Sequence, residues 1–338
     1  MPAVNAPLVS VIIPVYNEED NIVDCLRSIR TQTMDAAAVE ILLIDDDSID
    51  RTRELAAPFN VRMIRNGAKD CEVGKAIGIG QARGHYLLFM DADNRLDTPD
   101  WIARAVALLD GDAHVAGVQS WKFRYDRSHN AAIRYHALWG NTDPLVFYLK
   151  GQDHLRQFSQ TWDLVGNVVE DTESHVRVCF EARALPTIGS QGFLTRRAYF
   201  REQLETFHHT EFFIHLIEQE SATTFAFLKC TVTHLAFDSV RDLRRMFSRN
   251  IRDYLRDSGK YPVRRYDLSP LRMLRLLLIS QTGLIPLWDA WQGWRRIHDP
   301  AWFLHVYLGF VVPWTYARRI FQSRVRGAVM RRAMRIPD

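Results

Sequence analysis

The sequence predicts an α/β fold: a mainly parallel central sheet flanked by helices, then a helical C-terminal region that is both apolar and basic. Three observations carry this. Short β-branched runs alternate with segments of helical period from Leu8 to Ser120, and strands that alternate with helices form right-handed βαβ units. One run, His85-Tyr86-Leu87-Leu88-Phe89-Met90, is apolar after its first residue and leads straight into Asp91-Ala92-Asp93; a run of that kind is a strand covered on both faces. The composition, 47% hydrophobic and 25% charged over 338 residues, is that of a globular chain with a proper core, long enough for one large or two ordinary domains.

Leu8 to Pro14 is a β-branched first strand. Asn17 or Glu18 is placed to cap the following helix, in which Ile22, Cys25, Leu26 and Ile29 recur at helical spacing. Val39 to Ile44 is the second strand and ends in Asp45-Asp46-Asp47-Ser48. Asp50 to Ala57 reads as a short helix, Val61 to Ile64 as the third strand and Gly74 to Arg83 as a glycine-rich helix. The fourth strand is His85 to Met90; Pro99 to Leu109 is helical and Val115 to Ser120 is the fifth strand. From about Trp121 to Leu185 the pattern is irregular and aromatic. Glu211 to Glu218 is helical, Ala226 to His234 is strand-like, and Arg241 to Arg256 is a cationic helix. His234, before that helix, reads as a core histidine. These elements suggest one α/β domain over 1–240 whose pattern changes near residue 120. Cationic and amphipathic helices follow over 241–338.

The net charge of +3 is too small to imply nucleic acid as a whole-chain partner. The charge is uneven, however: Arg241 to Arg265 and Arg318 to Arg335 are arginine-rich, which suits an anionic membrane surface or substrate. Two apolar stretches lie between them. Leu271 to Trp294 is interrupted by Arg272, Arg275 and Asp289, and Ala301 to Ala317 is short for a span. They read as helices lying in the membrane interface, with Trp288, Trp291, Trp294, Trp302 and Trp314 at headgroup level; a spanning pair and helices packed on the soluble domain are the alternatives. Cys25, Cys71, Cys179 and Cys230 show no metal-ligand spacing and read as reduced thiols of a cytoplasmic protein. The apolar run from Leu8 to Val15 is broken by Ser10 and Pro14 and preceded by no basic segment, so it reads as a strand and not a signal peptide.

Asp91 and Asp93 sit where the fourth strand leaves the sheet, and ligands of open α/β sheets bind outside the carboxyl ends of strands. Two acids one residue apart repel unless a cation sits between them. Mg²⁺ and Mn²⁺ take oxygen ligands and keep positions for substrate phosphates. The residues alone therefore point to a divalent metal that clamps a diphosphate.

Four motifs resemble the family 2 glycosyltransferases of GT-A fold: Ser10-Val11-Ile12-Ile13-Pro14-Val15-Tyr16-Asn17-Glu18-Glu19, Ile44-Asp45-Asp46-Asp47-Ser48-Ile49-Asp50-Arg51-Thr52, Ala82-Arg83-Gly84 and Phe89-Met90-Asp91-Ala92-Asp93. They occur in family order and at family spacing. The resemblance implies a GT-A (Rossmann-like) catalytic domain over 1–240, with a nucleotide-binding half to about 120, an acceptor half over 121–240, and Pro14, Tyr16 and Glu18 lining a nucleotide pocket. Asp45 would accept a hydrogen bond from the base, with Asp46 and Ser48 shaping the turn. Asp91 would sit near the ribose or sugar and Asp93 would ligate the metal. Lys75 falls where the family places a basic residue near the phosphates, a point charge for an anion; the asparagine that follows in the family is Ala76 here.

The family's general base follows a glycine-rich segment, in an acidic pair opening a helix. Gly189-Ser190-Gln191-Gly192-Phe193-Leu194-Thr195-Arg196-Arg197 is similar to that segment, and Glu211 in His209-Thr210-Glu211-Phe212-Phe213 takes the base's place. Asp171 and Glu170 are the runners-up. Arg245 and Arg249 of the cationic helix are candidates for pyrophosphate contact. The Gln-x-x-Arg-Trp form of processive polysaccharide synthases is missing, which argues against processivity.

The expectation is a metal-dependent, inverting glycosyltransferase using Mg²⁺ or Mn²⁺. It would take a nucleotide-diphosphate sugar, a UDP-sugar first, and act on a lipid-linked or glycan acceptor hydroxyl or a polyprenyl phosphate in surface polysaccharide synthesis. It would sit at the cytoplasmic side of a membrane as a peripheral or monotopic protein. Two other readings compete. A sugar nucleotidyltransferase needs a Gly-rich, Arg/Lys-bearing loop that Pro14-Val15-Tyr16-Asn17 does not supply. A catalytically silent nucleotide-sugar-binding membrane scaffold has no use for the intact Asp91 and Asp93.

Overall fold

The computed structural model describes residues 6–189, 191–201, 204–219, 224–257 and 270–333, with side chains as far as 323 at the C-terminal end. Ser190 of the glycine segment, the part of the first arginine-rich run from 258 to 265 and the end of the second run lie outside the described residues. The chain divides into two compact units. One comprises Met1–Tyr125, Asp153–Leu155 and Ser159–Ala236; the other comprises Asp126–Gln152, Arg156–Phe158 and Phe237–Asp338. Residues 126–152, expected in the acceptor half, therefore group with the C-terminal helices.

The first unit opens with β1 (Val9–Val15), α1 (Ile22–Arg30), β2 (Val39–Asp45), α2 (Thr52–Ala56), β3 (Arg62–Arg65), α3 (Cys71–Gln81) and β4 (Tyr86–Phe89). It continues with β5 (Asn94–Leu96), α4 (Trp101–Gly111) and β6 (Val115–Phe123). Next along the chain come two helices of the other unit, α5 (Ala131–Trp139) and α6 (Pro144–Tyr148). The first unit then closes with β7 (Asn167–Asp171), β8 (His175–Cys179), β9 (Phe193–Arg196), α7 (His209–Gln219) and β10 (Thr224–His234).

The strands form one 10-stranded sheet in the order β3-β2-β1-β4-β9-β6-β10-β8-β7, with β5 pairing to β10. The α/β class, with a central sheet flanked by helices, is as the sequence predicts. Parallel pairing holds from β3 to β4 and between β6 and β10. β9 enters antiparallel between β4 and β6, and β8, β7 and β5 are antiparallel as well, so the sheet is mixed. β9 escapes a reading of periodicity because it is four residues long and buried on three of them.

Burial on both faces explains the parallel half. Val9, Val11, Ile13 and Val15 join Ile22, Leu26 and Ile29 of α1 and Trp101, Ile102 and Ala105 of α4 in one core. On the other face Ile12 meets α3 at Gly78, where an added Cβ would lie 2.4 Å from the Ile12 Cγ2. The glycine lets helix and sheet approach. β4 pairs with β1 only as far as Ile12, so Pro14 interrupts no ladder on that side.

Two local expectations are corrected. α1 begins at Ile22, behind Asn21, and no side chain caps it; Asn17 and Glu18 are spent on the neighbouring loop, as described below. The stretch from 121 to 185 is not irregular. It holds α5, α6, β7 and β8, and α5 hides from periodicity because it is buried nearly all round, from Ala132 to Trp139. Its start is fixed by Asn130, whose side chain accepts from the Ala132 and Ile133 N–H groups.

The second unit adds to α5 and α6 the helices α8 (Val240–Asp257), α9 (Pro270–Thr282), α10 (Leu284–Arg296) and α11 (Leu304–Ala333). Gly283, at φ 70°, separates α9 from α10, so the first apolar stretch is two short helices. Trp302, expected at headgroup level, is fully buried: its ring lies 5.1 Å from that of Trp139. His305 stacks on the same Trp139 ring at 3.7 Å, and burial pushes its pKa down to about 3. Among the described residues no helix is long and apolar enough to cross a membrane.

Candidate active site

Two loops leave the sheet side by side at the ends of β1 and β2 and are laced together. Asn17 takes a left-handed φ of 55°, so its backbone N–H reaches the Ser48 hydroxyl at 3.0 Å and its side-chain oxygen accepts from the Ile49 N–H at 2.9 Å. The Glu18 N–H donates to Thr52 Oγ1 at 2.7 Å, and the Glu19 N–H to Asp50 at 3.1 Å. Asp45, buried at the end of β2, accepts from the Ser48 N–H at 3.2 Å and from Arg53 Nε at 2.6 Å, with the Arg53 Nη2 on the same carboxylate. Asp46 accepts from the Lys69 N–H at 2.8 Å. Tyr16 stands at this mouth half-exposed (50%), a free aromatic face for a base.

The acids after β4 are held by a turn that closes on itself. Asn94, fully buried, accepts from the Asp91 N–H at 3.2 Å and donates to the Asp93 carboxylate at 3.1 Å. β5 then runs against β10 with Asn94 opposite His234, and the Leu235 N–H donates to the Asp93 carbonyl at 3.0 Å. This ladder brings His234 Nε2 to 3.5 Å from Asp93 Oδ2. From the other side α3 contributes Lys75, 4% exposed, with Nζ 3.4 Å from Glu72.

The electrostatics follow from crowding. Burial pushes the Asp91 pKa above the ordinary carboxylate value, opposed by Lys75 and reinforced by Asp93. Glu18, beside the same pair, is pushed up to about 7 by burial, against the hydrogen bond from Asn21 and helped by Asp93 and Asp91. Burial works against a charged Lys75 and a charged His234, but the surrounding acids win in both and raise their pKa values. Acids raised and cations raised in one pocket mark a negative site short of positive charge.

That shortage fits a divalent cation. Among the described residues no group of three or more His, Cys, Asp and Glu already converges as a closed cage. Mg²⁺ and Mn²⁺ sites formed with substrate phosphates need only one or two carboxylates. Asp93 and Asp91 are the residues that would hold the ion, with the His234 imidazole against the Asp93 carboxylate and Lys75 the cation beside them. His234 was missed as a site residue, and so was Asn94. A polar residue ending an apolar strand was the available signal for His234, the same one that marks Asp91.

Glu211 lies half-buried on the first turn of α7. That helix starts beside the end of β4: the Gly192 N–H donates to the Phe89 carbonyl at 3.1 Å, and a Cβ on Gly189 (φ 115°) would lie 2.8 Å from the Cβ of His209. The Phe207 N–H, just before α7, donates to the Glu72 carbonyl at 3.0 Å. Glu170 and Asp171 are instead occupied on the edge hairpin: Glu170 holds Arg177 at 2.7 Å and His175 at 3.1 Å, and Asp171 holds Lys229 at 2.6 Å. Arg245 and Arg249 are exposed on α8 in the other unit, Arg245 paired with Asp242 at 2.9 Å.

Comparison with known proteins gives this geometry a family. The profile described as Glycosyl transferase family 2 matches residues 10–168. The chain is 33% identical over 135 residues to the glycosyltransferase AglE of Haloferax volcanii, covering 38% of this chain and 44% of that protein. It is 37% identical over 95 residues to a poly(ribitol-phosphate) beta-glucosyltransferase of Bacillus spizizenii, covering 25% and 15%. The chain thus spans less than half the length of these relatives. Among solved structures it is similar to a mannosyltransferase of Pyrobaculum calidifontis in complex with GDP-Man and Mn²⁺, at 15% identity and TM-score 0.49, over 97% of this chain and 77% of that one. Residues 10–168 thus carry a domain that matches glycosyl transferase family 2.

Proposed function

We propose that the chain transfers a sugar from a nucleotide diphosphate, a UDP-sugar first, to the hydroxyl of a lipid-linked or glycan acceptor or to a polyprenyl phosphate, with inversion. The observation that carries the reading is the meeting of Asp93, Asp91, His234 and Lys75 outside the ends of the parallel strands, next to the loops of Tyr16 and Asp45. A bound Mg²⁺ or Mn²⁺ would supply charge neutralisation for the diphosphate as it departs.

The chain's own residues do the remainder. Tyr16 offers a stacking face to the base, and Arg53 fixes the Asp45 carboxylate below it. Lys75 places a permanent positive charge toward the phosphates. Glu211 takes the proton of the acceptor hydroxyl; that oxygen bonds to the anomeric carbon while the bond to the diphosphate oxygen breaks and its electron pair leaves with the diphosphate. The lacing of the two loops keeps this pocket in shape before the donor arrives.

Thermal shift with UDP, GDP and other nucleoside diphosphates, with and without Mn²⁺, tests the donor. A ligand that binds only the folded state raises its melting temperature by mass action. A shift that needs metal and disappears in Asp93→Ala is expected; no shift with any nucleoside diphosphate overturns the reading. Metal-dependent donor hydrolysis by the wild type separates an enzyme from a silent scaffold.

A further inference from the structure

The helices α9, α10 and α11 of the second unit are apolar on two sides. α10 buries Pro286, Ala290 and Gly293, yet Leu284, Leu287, Trp288, Trp291 and Trp294 are exposed on its outer face, Leu284 at 71% and Trp288 at 56%. On α9 the exposed stripe is Leu271, Leu274 and Leu278; on α11 it is Phe310, Trp314 and Phe321. Each stripe recurs at helical spacing, so each helix turns a complete apolar face outward. A helix that is apolar all round is either buried or in contact with lipid.

The stripes of α9 and α11 belong to one surface, and the stripe of α10 is tied together along its own helix. Gln281 near the end of α9 donates to the Phe310 carbonyl at 3.3 Å and accepts from the Trp314 indole at 2.8 Å. Trp288 and Trp291 are in ring contact at 5.1 Å, and the Arg295 guanidinium covers Trp291 at 4.8 Å. Elsewhere among the described residues the exposed large apolar side chains are Tyr16, Ile49, Met63, Val168 and Val169, scattered over three loops or edges. Apolar residues that cluster in this way on neighbouring helices form a contact surface and not scattered solvent exposure.

Its charges identify the partner. The acids between residues 270 and 323 are Asp289 and Asp299. Asp289 accepts from Tyr148 at 3.3 Å, and Asp299 is 4% exposed and held by Arg134 at 2.8 Å. The exposed charges of the stretch are therefore cationic: Arg272, Arg275, Arg295, Arg296 and Arg318. A second copy of this chain would bring the same five arginines against each other. We propose that this face docks the chain in the plane of an anionic phospholipid bilayer, with the leucine and tryptophan stripes in the interface and the arginines on the headgroups. The helices lie along the surface, since none of those described is long and apolar enough to cross it.

Co-sedimentation of the full chain with vesicles of phosphatidylcholine, with and without phosphatidylglycerol, tests this independently of the sugar-transfer reading. Binding is expected to the phosphatidylglycerol vesicles, weaker to phosphatidylcholine alone, and weakened by salt. Leu278→Glu with Trp288→Glu, and separately Arg295→Glu with Arg296→Glu, are expected to weaken partitioning about tenfold or more; melting curves matching the wild type show that these exposed changes leave the fold intact. The proposal is overturned if the wild type binds neither vesicle, if it binds both equally, or if both variants bind as the wild type does. It is equally overturned if the same variants abolish a dimer formed in the absence of lipid.

Discussion

His234 Nε2 stands 3.5 Å from the carboxylate of Asp93, held there by the pairing of β5 with β10. The imidazole is thus in place to orient the carboxylate that would take a cation. His234→Ala is expected to weaken Mn²⁺-dependent nucleoside diphosphate binding about 10–100-fold, the range seen when a residue supporting a metal ligand is lost. Asp93→Ala should abolish it. Titration calorimetry of UDP and GDP at fixed Mn²⁺ measures both, and equal affinity in His234→Ala would remove the histidine from the site.

Lys75 provides the second relation. Its ammonium is buried between Glu72 and Asp91. Lys75→Met leaves buried acids without their cation, which costs about 3–5 kcal/mol when a buried pair is broken on one side. Urea melts should show that loss, and Glu72→Gln on top of it should restore part of the stability. A stable Lys75→Met with unchanged donor binding would make the lysine a bystander.

How much of this was legible beforehand depended on whether a residue's role follows from its own neighbours in sequence. The ends of β2 and β4 were readable because Ile41-Leu42-Leu43-Ile44 and Leu87-Leu88-Phe89-Met90 are buried on both faces and stop at acids. His234 was not readable: a histidine ending a strand looks the same in a core as beside a metal, and only the antiparallel β5, three residues long, tells them apart. Asn17 was taken for a helix cap, whereas its left-handed backbone sends its side chain across to Ile49. Trp302 and Trp288 share an apolar helical context, yet one fills the core and the other faces outward, a distinction set by tertiary neighbours alone.

The Ala82-Arg83-Gly84 motif has a structural cause. The Gly84 N–H donates to the Ser10 hydroxyl at 2.7 Å, Ser10 donates to Glu40 at 2.5 Å, and the Arg83 N–H reaches the same Glu40 oxygen at 2.7 Å. A Cβ on Gly84 would fall 2.5 Å from the Ser10 backbone nitrogen. Backbone cannot yield as a side chain does, so Gly84→Ala is expected to cost about 2 kcal/mol or more, read as a lower urea midpoint. Donor affinity at temperatures where the variant is folded should be unchanged.

Glu18 sets a pH dependence in the metal-free protein. Its pKa is raised from 4.5 to about 7, so between those values the folded state holds a proton that the unfolded state has lost. Stability therefore falls as pH rises through this window. His234, with its own pKa raised, acts in the same direction above its ordinary value: its charged form is favoured in the fold, and that gain is lost at higher pH. In EDTA the melting temperature should drop between about pH 5 and pH 8, and Glu18→Gln should flatten the lower part of the drop. Mn²⁺ should reduce it, since a cation on Asp93 relieves the repulsion that adds to burial in raising Glu18. A melting temperature that rises over this range would contradict the assignment.

The choice of general base separates Glu211 from Glu170 and Asp171. Glu211 sits half-buried in the first turn of a helix that begins beside the end of β4, and no ion pair with a basic side chain is seen on it among the described residues. Glu170 and Asp171 are already paired with Arg177, His175 and Lys229 on an edge hairpin, and freeing one of them would break an ion pair. Glu211→Gln keeps shape and removes the proton acceptor, so it is expected to lower turnover about 100-fold or more with donor binding intact. Glu170→Gln and Asp171→Asn should leave turnover within a few-fold of the wild type and lower stability slightly. Sugar transfer from radiolabelled donor, with nucleotide affinity measured on the same preparations, reads both quantities; full activity in Glu211→Gln would move the base elsewhere.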